Sequence, residues 1–156
     1  MTETARVLLT AGILSAVALT TFVLRLIRPG CAPHEYLIDQ LRLSQLAALV
    51  LAGAGATGIG VAVSAASAQG ASLEAIAGLV ALGASLLVLR SEPPAALLVA
   101  AVFFLLHGVF DWAHRPGLLS VQFVPPWWSM GSAIYDVYLA ALCFIARFLG
   151  KARWPK

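Results

Sequence analysis

The chain has 156 residues, enough for one domain, and 61% of them are hydrophobic while only 11% are charged, against about 25% charged in a soluble domain. With a mean hydropathy of +0.92, it holds more apolar surface than a core of this size can hide, so its solvent is lipid. That excludes a cytosolic enzyme, a nucleic-acid-binding domain and a secreted disulfide scaffold, and the net charge of +3 is a matter of topology.

A membrane-spanning helix needs about 20 mostly apolar residues. Five runs qualify, with approximate bounds 6–27, 43–68, 73–89, 94–112 and 131–149. None alternates apolar and polar residues as barrel strands do, and backbone groups inside a bilayer must be satisfied internally. The expected fold is therefore all-α, a polytopic integral membrane bundle of about five helices forming one domain over residues 1–156.

The first run carries its basic residues after the apolar stretch and ends in no small-residue cleavage motif, so it reads as a retained anchor. Arg28-Pro29-Gly30 closes it. The next basic and acidic residues, His34, Glu35, Asp39 and Arg42, read as a solvated loop. The second run holds Ala52-Gly53-Ala54-Gly55-Ala56-Thr57-Gly58-Ile59-Gly60. Its pairs Ala54/Gly58 and Ala56/Gly60 have the small-xxx-small spacing that lets helices approach closely, within the chain or between copies in a homo-oligomer. Ser72 is the expected N-cap of the third run, with Glu74 in its first turn, where a carboxylate suits the positive helix end. Pro93-Pro94 opens the fourth run and Arg115-Pro116-Gly117 closes it. Pro125-Pro126-Trp127-Trp128 belongs to the long loop that follows, and its tryptophans place that loop at the headgroups.

Orientation follows from Lys and Arg. Arg25, Arg28, Arg42, Arg90, Arg147, Lys151, Arg153 and Lys156 fall on one side, and only Arg6 and Arg115 on the other. The expected N-terminus is outside, the C-terminus cytoplasmic, and the location a cell membrane, the inner membrane if the source is bacterial.

Ionisable groups inside spans are costly and become functional candidates. The fourth run contains His107, Asp111 and His114. At about 100° per residue they share one helix face within roughly 60° of arc and extend over about 10 Å of its axis. The topology puts Glu74, at the start of the third run, and Asp136, in the first turns of the fifth, at the same depth. Imidazoles and carboxylates on facing helices are ligand chemistry for zinc, iron or manganese. The candidate metal ligands are therefore His107, Asp111, His114, Asp136 and Glu74, and a carboxylate left off the metal (Asp111, Asp136 or Glu74) is the candidate catalytic base.

Tyr135 and Tyr138 read as an interfacial aromatic belt, with Tyr138 able to donate to a site carboxylate instead. Gln45, Thr57, Ser64 and Ser85 read as helix–helix hydrogen-bonding groups. Cys143 reads as packing, and Cys31 and Cys143 form no metal or redox motif.

The segment from Glu74 to about Leu142 resembles a family of small bacterial integral membrane proteins known as a domain of unknown function. The matching pieces are Glu74, Leu105-Leu106-His107 followed by Asp111 and His114, then Pro125-Pro126, and Ala133-Ile134-Tyr135-Asp136. The chain departs from that pattern at Arg115, where a second consecutive histidine is expected, and in lacking cysteines before Asp136. The resemblance implies that the five residues form one site, and implies no activity.

Two classes of function follow. One is a metal-dependent membrane hydrolase or oxidoreductase acting on a lipid or apolar substrate near the outer leaflet, with no nucleic-acid partner. The other is a metal- or proton-transporting or sensing protein, or a structural subunit whose polar cluster sets helix register.

Overall fold

The computed structural model describes residues 3–28, 32–64, 68–114 and 126–151. It contains five helices, α1 (Glu3–Ile27), α2 (Pro33–Ser64), α3 (Ala68–Arg90), α4 (Pro93–Ala113) and α5 (Pro126–Lys151). All five are long and apolar enough to cross a membrane.

Surface and core invert the pattern of a soluble protein. Val63 is 82% exposed and Leu49 70%, and large aliphatic side chains cover the outside of every helix. The interior mixes large side chains such as Leu19, Leu43, Leu97, Phe104 and Leu139 with many alanines, among them Ala47, Ala48, Ala84, Ala100, Ala101, Ala140 and Ala146. In lipid the outward aliphatic groups lose nothing, and close backbone approach supplies the packing.

The order of contacts defines the bundle. The α2–α3 and α4–α5 pairs pack most extensively, α4 also meets α3 and α2, and among the described residues α1 lies against α2 and α5 alone. Paired residues give the directions. Ser85 donates to the Ala48 carbonyl at 2.8 Å while Gly55 meets Gly78, so α2 and α3 are antiparallel. Gly108 packs against Ala133 and Asp136 and Asp111 bonds Ser132, which makes α4 and α5 antiparallel. Ser15 bonds Tyr135 and Thr20 bonds Tyr138, so α1 and α5 run parallel.

Several helix ends differ from expectation. Helix α2 starts at Pro33, ten residues before the expected 43, and absorbs the stretch expected to be a loop. Its start is chemically marked: Pro33 suits a first helical position, and the Glu35 carboxylate accepts from the Ala32 amide at 3.2 Å, half of a capping box. The added turns pack through polar groups. The Tyr36 hydroxyl donates to the Ala146 carbonyl at 3.0 Å, and Gln40 Nε2 donates to the Tyr36 oxygen at 2.8 Å and to the same carbonyl at 3.2 Å. His34 and Glu35 are exposed as expected, and Arg42 reaches Asp39 at 3.9 Å.

Helix α3 starts at Ala68, so Ser72 lies inside it and is no N-cap, and Glu74 falls in the second turn. Helix α5 starts at Pro126 rather than near 131, so Trp127 and Trp128 stand on its first turn instead of in a loop. Pro29-Gly30, Cys31, Arg115-Pro116-Gly117 and Pro125 lie outside the described residues.

Among the lesser polar groups, only Ser85 makes the helix–helix bond expected of it. Thr57 and Ser64 donate back to Gly53 and Gly60 in their own helix, and Gln45 is exposed. Tyr135 and Tyr138 spend their hydroxyls on Ser15 and Thr20 of α1, so Tyr138 does not serve a site carboxylate. Cys143 is fully buried packing.

Candidate metal centre

The polar groups of α3, α4 and α5 gather at one end of the bundle. The H-x3-D-x2-H spacing keeps His107, Asp111 and His114 on the inward side of α4, all shielded: their side chains are 20%, 17% and 8% exposed. Helix α5 brings Asp136, whose side chain is 5% exposed, and α3 brings Glu74 at 13%.

Three of the five converge. His107 Nδ1 lies 2.7 Å from Asp136 Oδ2 and 3.7 Å from Asp111 Oδ2. One ligand atom from each of His107, Asp111 and Asp136 falls within 4.8 Å of the others. The glycine after His107 makes this possible. A Cβ at Gly108 would stand 3.2 Å from Asp136 Cβ and 3.3 Å from the Ala133 carbonyl, so α4 and α5 approach closely where the histidine must reach across.

The other two form their own pair. His114 Nε2 lies 3.0 Å from Glu74 Oε1. Its Nδ1 lies 2.9 Å from the Phe110 carbonyl. A carbonyl only accepts, so Nδ1 carries a proton and donates there, which fixes the ring and leaves Nε2 to face the carboxylate. The Phe110 ring packs edge-on against the His114 ring with centroids 4.4 Å apart. Glu74 is within electrostatic reach of His107 and Asp111, so the pair is a neighbour of the trio.

One serine of α5 joins the site without having been expected, and a second lies on the same face of that helix. Ser132 hydrogen-bonds Asp111. Ser129 is buried, and its hydroxyl has no hydrogen-bond partner among the described residues. Both had a signal: they precede Asp136 by four and seven residues, which returns to the same helix face within about 40°.

An apolar cleft of about 210 Å³ adjoins the trio. It lies between α3 and α4, has Leu51 of α2 at its back, and His107 is the one polar side chain on its wall.

A trio of one imidazole and two carboxylates suits a first-row divalent ion, and three protein ligands with a position left open is the arrangement of catalytic zinc. No protein-family model matches the chain, and no curated protein or solved structure is significantly similar to it.

Proposed function

We propose that this chain is a metal-dependent membrane enzyme in which His107, Asp111 and Asp136 hold a divalent cation and the substrate is a lipid or other apolar molecule. The observation that carries the reading is the convergence of three donor atoms within 4.8 Å in a span where isolated ionisable groups are expensive. A bound divalent ion would supply Lewis acidity and a water of lowered pKa; zinc would make the reaction hydrolytic, iron would allow an oxidative one.

The remaining groups then have distinct work. Ser132 orients the Asp111 carboxylate, as hydrogen-bonded partners of ligands do. Glu74 and His114 stand beside the trio with a proton position between them, which suits a general acid–base pair. The distribution of Lys and Arg supports reading this end of the bundle as the extracytoplasmic one in a cell membrane, inner if bacterial. A homo-oligomer through α2 is compatible with the exposed face bearing Gly53, Ala56 and Gly60.

A second reading, proton or metal handling, draws on the same two His–carboxylate pairs; it predicts flux in liposomes, which an enzyme does not.

The test is elemental analysis of protein purified in mild detergent without a metal-affinity column. Wild type should carry about one equivalent of zinc, iron or manganese, as a single trio of ligands implies. His107→Ala should lose it and His114→Ala should retain it, with helical circular dichroism unchanged in both. Wild type that is metal-free and takes up none of the three ions would overturn the metalloenzyme reading.

A further inference from the structure

The cleft beside His107 has a shape and chemistry that the metal trio does not explain. Its walls are the α3 stripe Leu73, Ala77 and Ala81 and the α4 side chains Phe103, His107 and Phe110. From Leu73 to Ala81 it runs about 12 Å along the helix axis. It starts at the depth of the titratable layer and continues toward the middle of the bundle. Its floor is deeply shielded, with Leu51 only 1% and Ala81 only 4% exposed. Its open side lies between Ile76, Val80 and Leu106, which are 58%, 51% and 58% exposed. Those side chains face lipid, so the cleft is entered sideways from the bilayer.

Ala77 and Ala81 of α3 leave room between the larger side chains of Leu73, Ile76 and Val80 that also line the cleft. An apolar cavity of about 150 Å³ takes up a benzene ring, so 210 Å³ accommodates a longer hydrocarbon than six carbons. Among the described residues no charged side chain lines it, and His107 alone can address a polar group. That is the division found in ligand sites, where apolar walls hold the body and few polar groups fix its orientation. With Nδ1 turned to Asp136, the opposite edge of the His107 ring is the part available to an occupant of the cleft.

We propose that the α3–α4 cleft seats one acyl chain of a membrane lipid, with the carbonyl end of that chain against His107. The assignment rests on the reading of His107, Asp111 and Asp136 as the reacting group, and it names the substrate class as an acyl lipid. The polarity of the cleft matches such a molecule end for end: apolar along its length, polar where it meets the trio. The lateral opening admits a chain from the bilayer without extracting the lipid into water.

The test uses the full chain in phosphatidylcholine nanodiscs doped with a phosphatidylcholine that carries a diazirine at mid-chain. Photolabelled positions are mapped by mass spectrometry. Leu51 and Ala81 form the floor of the cleft, while Leu49 and Val102 face lipid at similar depth and are 70% and 45% exposed. A seated chain labels Leu51 and Ala81 several-fold more strongly than Leu49 and Val102, despite their burial. Ala81→Trp fills the floor and should bring the label at Leu51 down to background while Leu49 and Val102 keep theirs. Ala77→Leu, a milder obstruction nearer the opening, should give a partial loss and serves if the tryptophan variant does not fold. Labelling that follows exposure, strong at Leu49 and Val102 and absent at Leu51 and Ala81, means ordinary contact with surrounding lipid and overturns the proposal. Metal is measured on the same samples. A metal-free protein with a labelled floor would overturn the metal reading alone, and a metal-loaded protein with an unlabelled floor would overturn the acyl seat alone.

Discussion

The contact between His107 and Asp136 joins two helices in a medium that offers no alternative partner. Asp136 is 3% exposed, so its carboxylate depends on what α4 presents, and α4 presents an imidazole nitrogen at 2.7 Å. Removing one partner strands the other, and an unsatisfied buried group costs about 1–3 kcal/mol. A double-mutant cycle separates that penalty from the bond itself. His107→Phe and Asp136→Leu, each measured in chelator so that bound metal does not contribute, should each lower unfolding stability in detergent. The double variant should cost less than the sum by about 1 kcal/mol, within the range measured for polar pairs between membrane helices. Additive losses would mean that the two side chains do not bond in the folded protein. The neighbouring pair is arranged differently: His114 is anchored through its own helix, at the Phe110 carbonyl, before it meets Glu74. Its replacement should disturb helix packing less than that of His107.

At the scale of helices, the close crossing of α2 and α3 is the most sharply specified contact. A Cβ at Gly55 would lie 2.6 Å from the Gly78 carbonyl oxygen, and a Cβ at Gly78 would lie 2.7 Å from the Gly55 carbonyl oxygen. Neither backbone can yield without separating the helices. Gly55→Ala or Gly78→Ala should therefore destabilise by about 1–3 kcal/mol, the usual cost of overpacking, and lower the melting temperature in detergent. Gly53 and Gly60 have open space around a Cβ, so alanine there should raise stability by up to about 1 kcal/mol through helix propensity. Equal effects at all four positions would contradict the crossing.

The sequence marked this region as a packing surface but named the pairs Ala54/Gly58 and Ala56/Gly60. Gly58 does sit near Gly78, since a Cβ added at Gly58 would stand 3.4 Å from the Gly78 Cα, whereas Ala56 and Gly60 face outward. Where nearly every residue from 52 to 60 is small, composition leaves the face undetermined, and the glycine of the opposing helix selects it. A similar limit applied to the site. Helix-face spacing and span order brought Glu74, His107, Asp111, His114 and Asp136 to one end of the bundle. Spacing carries no information on how far α3 and α5 are rotated about their axes. That rotation gives Asp136 to His107 and Glu74 to His114, and adds Ser132. The early start of α2 was hidden for another reason: Tyr36 and Gln40 pack through hydrogen bonds to a carbonyl, which hydropathy scores as loop.

Across the whole molecule, charge and site lie at opposite ends. Helices α1, α3 and α5 run one way and α2 and α4 the other. Arg25 in the last turn of α1 and Arg28 just after it, Arg42 in the early turns of α2, Arg90 at the end of α3, and Arg147 and Lys151 near the end of α5 therefore share one end. The opposite end holds Arg6, the start of α3 and α5, the end of α4, and with them the five titratable side chains. Lys and Arg close to span ends are retained on the cytoplasmic side, so the orientation proposed above predicts that the His107–Asp111–Asp136 trio and the mouth of the cleft face the outer leaflet. This bears on chemistry, because a laterally open cleft draws from the leaflet in which it lies. A fluorescent protein fused after Lys156 should fold and fluoresce, since it folds only in the cytoplasm. Alkaline phosphatase fused after Ser64, at the site end, should be active, since it requires export. The reverse pattern would place the site among inner-leaflet lipids. It would also require most of the chain's basic residues to cross the membrane, against the strongest orienting signal the sequence contains.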